Sequence, residues 1–282
     1  MRRLLLCIDL DRTLIANGAE PESNGALELF SQWVYREDVT LAYVSGRHLA
    51  LIEQAIVEFG LPTPDAIIAD VGSTIYQATP SGWHPYASWS AQINPDWRGL
   101  THDDLRRLLE VFPALRLQPA QNQGRHKLSY HVSLEVNSAQ LMGAMDVCLK
   151  SAHIKANLIW SVDTSAGLGL LDVLPAGASK LHAIHFLMQQ NGYQEGDVIF
   201  AGDSGNDLDV LLSGIPSVLV ANADPQVKAQ AAAANPDPDT LYVAQGGYLG
   251  MNGNYSAGIL EGIAHYRPEV DAWLRAQSLN KV

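Results

Sequence analysis

The chain is short of three things, and each shortage excludes a class of protein. It has two cysteines, Cys7 and Cys148, which form neither a metal-binding spacing nor a disulfide framework, so a reducing cytoplasm is the expected setting. Lysine and arginine number 18 against 30 aspartates and glutamates, a net charge of −12. That deficit argues against a nucleic-acid partner or an anionic membrane surface, since both need clustered cations. An anionic ligand would have to be met by a few cations placed locally. The opening apolar run, Leu4-Leu5-Leu6-Cys7-Ile8, stops at Asp9, too soon for a membrane span or a secretory leader. No internal repeat is found. What remains is ordinary for a globular protein: 282 residues with 47% hydrophobic content suit one large or two modest domains with a sizeable core.

The opening run reads as a strand buried on both faces, and it ends in Asp9-Leu10-Asp11. In extended backbone, positions i and i+2 project to one side, so the two carboxylates converge at the strand's carboxyl end. Two anions so close repel unless a cation sits between them or one takes a proton. Taken alone, the pair is equally consistent with a solvated acidic turn.

Helix-like and strand-like segments then alternate, which predicts an α/β fold with a parallel sheet. A helix is expected over 24–35, a strand over 39–44 ending at Ser45-Gly46-Arg47, and a helix over 47–59 closed by Gly60. A strand over 65–70 leads into Val71-Gly72-Ser73-Thr74-Ile75-Tyr76. Over 83–171 the rhythm lapses into a smaller α+β insertion. There, helices are expected at 101–112, capped by Thr101 with Asp103 and Asp104 in its first turn, and at 138–152. Half-exposed antiparallel strands are expected at 127–134 and 156–162, with Trp83, Trp89, Trp97 and Trp160 forming the insertion's core. Strands at 170–174, 197–201 and 217–220 are read as a return to the main sheet. Helices follow at 181–190, at 224–234 with Asp224 capping and Pro225 first, and at 255–265. Residues 235–239 read as a turn and 245–253 as a flexible linker. The main domain would thus comprise 1–82 and 172–282.

Four strand-end loops carry chemistry. Ser45-Gly46-Arg47 precedes a helix, where N–H groups and a hydroxyl face any anion held there; an N-cap by Ser45 alone is the plainer alternative. Lys180 opens a helix against its dipole, which suggests a bound anion unless it is simply solvated. Gly202-Asp203-Ser204-Gly205-Asn206-Asp207 crowds two acids and an amide onto one tip. Open α/β sheets place their ligand crevice at such carboxyl ends. Three carboxylates with Lys180, Arg47 and Ser45 suit a hard dication and a phosphate, and Asp9, Asp203 and one main-chain carbonyl could hold Mg2+.

These elements, in this order and spacing, resemble the haloacid-dehalogenase (HAD) superfamily of aspartate-dependent phosphatases with a C2-type cap inserted in a Rossmann-like core. The chain is most similar to the sucrose-6-phosphate phosphatase family. The likeness is carried by Leu41-Ala42-Tyr43, Val71-Gly72-Ser73 with Ile75-Tyr76, Lys127-Leu128-Ser129-Tyr130-His131, Leu171-Asp172-Val173-Leu174-Pro175 and Ala257-Gly258-Ile259-Leu260-Glu261. Arg12 stands where the family commonly has a small residue or asparagine, Ser45 where it often has threonine, and Thr74 where it has glutamate.

The resemblance implies Mg2+-dependent hydrolysis of a sugar phosphate, sucrose 6-phosphate first, through an aspartyl-phosphate. A related disaccharide phosphate such as mannosylfructose phosphate is the second reading, and a non-catalytic sugar-phosphate-binding or synthase-associated domain the third. It implies Asp9 as nucleophile and Asp11 as general acid and base. Phosphate would be bound by Ser45, Gly46, Lys180 and Asn206. The metal set would be Asp9, Asp11, Asp203 and Asp207, with Asp203 the direct ligand and Asp207 supporting. Lys127, Ser129 and His131 share one strand face, with Tyr130 opposite; the resemblance turns that face toward the sugar and adds Arg47 and Asp172. The implied protein is a cytoplasmic monomer, free of membrane and nucleic acid, with a synthase as possible associate, whose cap opens and closes on linkers near Trp83 and Leu171.

Overall fold

The computed structural model describes residues 3–163, 166–234, 237 and 239–279, and within them the strands form two separate sheets. In chain order the strands are β1 (Leu4–Ile8), β2 (Val39–Val44), β3 (Ala66–Ala69), β4 (Thr74–Thr79), β5 (Gly82–Pro85), β6 (Arg116–Leu117), β7 (Leu128–Ser133), β8 (Ala156–Asp163), β9 (Leu168–Pro175), β10 (Val198–Gly202), β11 (Ser217–Leu219) and β12 (Leu241–Val243).

The larger sheet runs β12-β11-β10-β1-β2-β3-β4-β5, parallel except for the β4–β5 hairpin at its edge. The Leu-Leu-Leu-Cys-Ile run becomes its central strand because all five side chains are buried, and only strands covered on both faces can be apolar throughout. The chain adds β2 and β3 to one side of β1, then β10, β11 and β12 to the other, so the order reverses at β1. Ile8 pairs with Ala201 on one side and Tyr43 on the other. That register brings Asp9, Ser45 and Asp203 to neighbouring strand tips at the reversal, where open sheets bind ligands.

The smaller sheet is antiparallel, in the order β6-β7-β9-β8. Leu128, Tyr130, Val132, Leu171 and Val173 project from it into a second core with Trp97, Leu105, Leu109 and Met145. Helix His102–Leu109 opens on the capping box expected of Thr101: its hydroxyl accepts from Asp104 N–H, and Asp104 accepts from Thr101 N–H.

Several expectations need correction. The strand expected at 170–174 lies within β9, which belongs to the smaller sheet. Leu171 and Val173 enter the second core while Leu170 and Asp172 line a pocket, so a strand covered on both faces resembled one from the parallel sheet. A boundary between 171 and 172 cuts β9, and one between 82 and 83 cuts β5, which is hydrogen-bonded to the larger sheet. Trp83 and Trp89 pack in the main core, Trp89 with its ring 5.3 Å from that of Phe186. Only Trp97 and Trp160 of the four serve the second core.

The helix expected from Arg47 starts at Leu49, leaving residues 45–48 as a loop. The segment 245–253 is a fixed loop, not a linker. Buried Glu261 accepts from Gln245 N–H at 2.9 Å, Gly246 N–H at 3.0 Å and the Tyr242 hydroxyl at 2.9 Å. Helix Pro268–Leu279 follows and was not anticipated. Of the expected turn at 235–239, positions 235, 236 and 238 lie outside the described residues.

Candidate active site

Asp9 leaves β1 with its N–H donated to the Ala201 carbonyl at 2.9 Å, so β10 aims the side chain across the sheet's reversal. There it meets Lys180, the first residue of helix Lys180–Asn191, which is capped by Ser179. Lys180 is fully buried, and its Nζ donates to Asp9 Oδ1 and Asp207 Oδ1, each at 2.7 Å. Asp207 is itself held from behind, its Oδ2 accepting from the N–H groups of Asp203 at 3.1 Å and Ser204 at 3.0 Å. Asp203 accepts from Thr13 Oγ1 at 3.2 Å and Arg12 Nε at 3.3 Å.

Three buried acids against Lys180 and the partly exposed Arg12 are an electrostatic imbalance. Burial pushes Asp9 well above the usual carboxylate range, with Asp207 and Asp203 adding to the rise and Lys180 opposing it. Burial raises Asp203 to about 7, the Asp207 charge adding and Arg12 and Lys180 opposing. Burial would depress Lys180, but Asp207 and Asp9 outweigh it and hold the ammonium above its ordinary value. Asp9, Asp203 and Asp207 each offer an oxygen within 4.8 Å of the others. An all-oxygen donor set with surplus negative charge fits a hard dication such as Mg2+.

Asp11 lies apart from that group. Its carboxylate takes a bidentate pair from Arg47, Nη2 at 2.6 Å and Nε at 2.8 Å, and Asn17 Nδ2 donates to it at 2.7 Å. Arg47 is thus turned onto Asp11. Ser45 is buried, its hydroxyl accepting from Arg47 N–H at 3.1 Å in a turn and not a helix cap. Gly46 and Asn206 face each other across the pocket wall: a Cβ on Gly46 would lie 4.0 Å from Asn206 Nδ2.

The cavity over these groups holds about 390 Å³ and is lined by Asp9, Asp11, Arg12, Gly46, Arg47, Asp203 and Asn206 below and by Gln118, Asn122, Lys127, Ser161, Asp163 and Asp172 from the smaller sheet's side. Lys127 reaches across, donating to the Gly46 carbonyl at 2.8 Å. Ser129 donates a short hydrogen bond to Asp172. His131 shares β7 with Ser129, and neither lines the cavity.

The sequence offered no sign of Asn222, and it marked Val71-Gly72-Ser73 only as part of the family likeness. Asn222 donates to the Arg12 carbonyl at 2.6 Å and accepts from Tyr255 N–H at 2.8 Å, bracing the Asp-x-Asp loop from a distant helix. The turn at 70–72 joins the Ser45 loop to the Lys180 helix. Val71 N–H donates to the Ser45 carbonyl at 3.0 Å, and a Cβ on Gly72 (φ 96°) would lie 2.2 Å from the Ser179 carbonyl oxygen. Gly72 in the Val-Gly-Ser motif was the available signal, since only glycine permits that approach.

Known proteins share this fold. The X-ray structure of the sucrose-phosphatase of Synechocystis sp., in complex with sucrose and phosphate, matches with a TM-score of 0.78 and 28% identity, covering 94% of this chain and 98% of that one. A protein of Nitrosococcus oceani, described no further than as an HAD-like hydrolase, is 47% identical over 97% of this chain and 74% of its own. Sucrose-phosphatase 1 of Nicotiana tabacum is 28% identical over 94% of this chain, which spans 59% of the tobacco protein's length. Fold and site together define a phosphoric monoester hydrolase of the haloacid-dehalogenase type. The family model for sucrose-6F-phosphate phosphohydrolase matches residues 2–267, and the chain belongs to that family.

Proposed function

We propose that the protein hydrolyses sucrose 6-phosphate to sucrose and phosphate, with Asp9 as the nucleophile. The observation that carries this reading is the group formed by Asp9, Lys180, Asp207 and Asp203 at the sheet's reversal, where one carboxylate is held 2.7 Å from a buried ammonium beside two further acids. An Asp9 oxygen attacks phosphorus, the bond from phosphorus to the sugar oxygen breaks, and an aspartyl-phosphate forms. Asp11 gives its proton to the departing oxygen, then takes one from the water that cleaves the acyl phosphate, restoring Asp9 and releasing phosphate. Arg47 must loosen its bidentate hold for Asp11 to carry that proton.

Lys180, Ser45, Gly46 and Asn206 bind the transferring phosphoryl oxygens, where fixed positive charge and donors are worth most. Asp9 and Asp203 would ligate Mg2+, with Asp207 behind them; bound there, the ion neutralises phosphoryl charge and keeps Asp9 ionised. Residues 94–175 form the cap, presenting Lys127 and Asp172 to the sugar, with Ser129 holding Asp172 from behind. Phosphate release by the wild type and Asp9→Asn, with and without Mg2+, tests this on a panel of sugar phosphates. Mg2+-dependent release led by sucrose 6-phosphate and lost in Asp9→Asn supports the reading. Unchanged release by a folded Asp9→Asn overturns it.

A further inference from the structure

A cation of the chain's own stands beside the group of acids. Arg12 lines the catalytic pocket, and its Nε donates to Asp203 Oδ2 at 3.3 Å, while Thr13 occupies Oδ1 of the same carboxylate at 3.2 Å. The guanidinium is held from its far side as well. Its Nη2 donates to the Asn222 carbonyl at 3.1 Å and lies 3.6 Å from Glu20 Oε2. The chain closes tightly around it, since a Cβ on Gly18 would lie 3.3 Å from Arg12 Nη1 and 2.7 Å from the Tyr255 hydroxyl oxygen.

The backbone below is fixed too. Arg12 sits in the left-handed region at φ 59°, uncommon for any residue but glycine and a conformation that clusters at functional sites. Its N–H donates to Asn17 Oδ1 at 2.9 Å, and its carbonyl accepts from Asn222 Nδ2 at 2.6 Å. Asn222 is buried and accepts from Tyr255 N–H at 2.8 Å, which ties the loop to helix Tyr255–Tyr266. A charge so anchored cannot swing aside when a second cation arrives.

We propose that Arg12 is a positioning residue that sets the dication affinity of the site: it orients and neutralises Asp203 while no ion is bound, and its fixed charge opposes the ion when one enters. The proposal rests on the reading of Asp9 and Asp203 as Mg2+ ligands. When ionised, the three acids carry three negative charges against two positive ones on Lys180 and Arg12. Lys180 is shared by Asp9 and Asp207, whereas Arg12 pairs with Asp203 alone of the three. Neutralising Arg12 therefore doubles the uncompensated charge, from one to two, without disturbing the lysine. Coulombic attraction for the dication rises, and the metal-free site becomes harder to hold together.

The test compares the wild type with three variants of the full chain. Arg12→Gln keeps a donor and loses the charge, Arg12→Asn loses the charge and suits the left-handed backbone, and Arg12→Lys keeps the charge and loses the fork. Mg2+ is titrated calorimetrically at about pH 8.5, where protons compete little for the carboxylates. Melting curves are recorded in EDTA and in saturating Mg2+. The expected result is Mg2+ binding about tenfold tighter or more in Arg12→Gln and Arg12→Asn, with Arg12→Lys within about threefold of wild type. In EDTA the two neutral variants melt below the wild type, and Mg2+ raises their melting temperatures by more. Should Arg12→Asn not fold, Arg12→Gln decides alone. Wild-type or weaker Mg2+ affinity in a folded neutral variant overturns the proposal, as does equal tightening in Arg12→Lys, which a merely structural role would produce. The same order of affinities in a protein that hydrolyses no sugar phosphate ends the hydrolase reading and supports this one. Absence of Mg2+ binding by the wild type and every variant ends both the metal reading and the proposal.

Discussion

The two sheets meet the same pocket with different materials. On the larger sheet's side the contacts are ionic and buried, since Lys180, Asp207 and Asp203 are each 1% exposed or less and are tied to one another through side chain and backbone. On the smaller sheet's side charged and neutral groups are mixed: Lys127 and Asp172 are buried, whereas every residue of β8, which supplies Ser161 and Asp163, is half-buried or exposed. Removing one member of a buried ion pair leaves an uncompensated charge, so the first side does not tolerate the loss of a partner. Under the proposed function the contrast is a division of labour: the strand tips act on phosphorus whatever carries it, and the roof chooses the carrier.

Removing Lys180 should produce the largest effect. Lys180→Met leaves buried Asp9 and Asp207 without their shared cation, and a loss of about 3–5 kcal/mol in urea unfolding is expected, as for other broken buried pairs. Turnover should fall by about a thousandfold or more on every phosphate ester. Loss on sucrose 6-phosphate alone would break the contrast.

The converse change is in the smaller core. Trp97→Ala removes a fully buried indole, expected to cost about 3–5 kcal/mol. Hydrogen exchange should show amides of the smaller sheet losing protection while β1 and β10 keep theirs, with p-nitrophenyl phosphate still hydrolysed. Loss of protection in both sheets together would show one cooperative unit.

The pH dependence sharpens the ionic side. Asp203 has its pKa raised from 3.8 to about 7 in the folded protein, so the folded state holds a proton that the unfolded chain releases. Its contribution to stability is full below the unfolded value and is lost as pH rises through about 7. The metal-free protein should therefore lose thermal stability between pH 4 and pH 7 at this group, and Mg2+, competing with the proton, should stabilise more at pH 8 than at pH 6 (about one pH unit on either side of 7). Thermal scans with and without Mg2+ read this directly, and Asp203→Asn should flatten the dependence. The smallest effect expected is for Thr101→Ala, a loss of about 1 kcal/mol from the capping box, confined to the smaller unit.

The same contrast explains what could be read in advance. The parallel strands were legible because doubly buried strands are apolar throughout and end abruptly in charge; β1, β2 and β10 fell close to their expected positions. Asp9, Lys180 and Asp203 were legible because each is a costly residue at a strand or helix end. β9 misled because the pocket covers one of its faces, a tertiary circumstance with no periodic trace. Asp11 and Arg47 were expected at the site in separate roles, and their mutual pairing depends on residues 45–48 forming a loop, which composition does not reveal. Glu261 looked like part of a motif and proved to be the acceptor that fixes the 245–253 loop.

Acid-quenching the wild-type enzyme during turnover of sucrose 6-phosphate with Mg2+, followed by mass mapping of the peptide holding residues 4–15, tests the central claim most directly. The account expects one added phosphoryl group, located on Asp9 and absent from Asp11. A phosphoryl group on any other residue, or steady turnover with none trapped on that peptide, would contradict it.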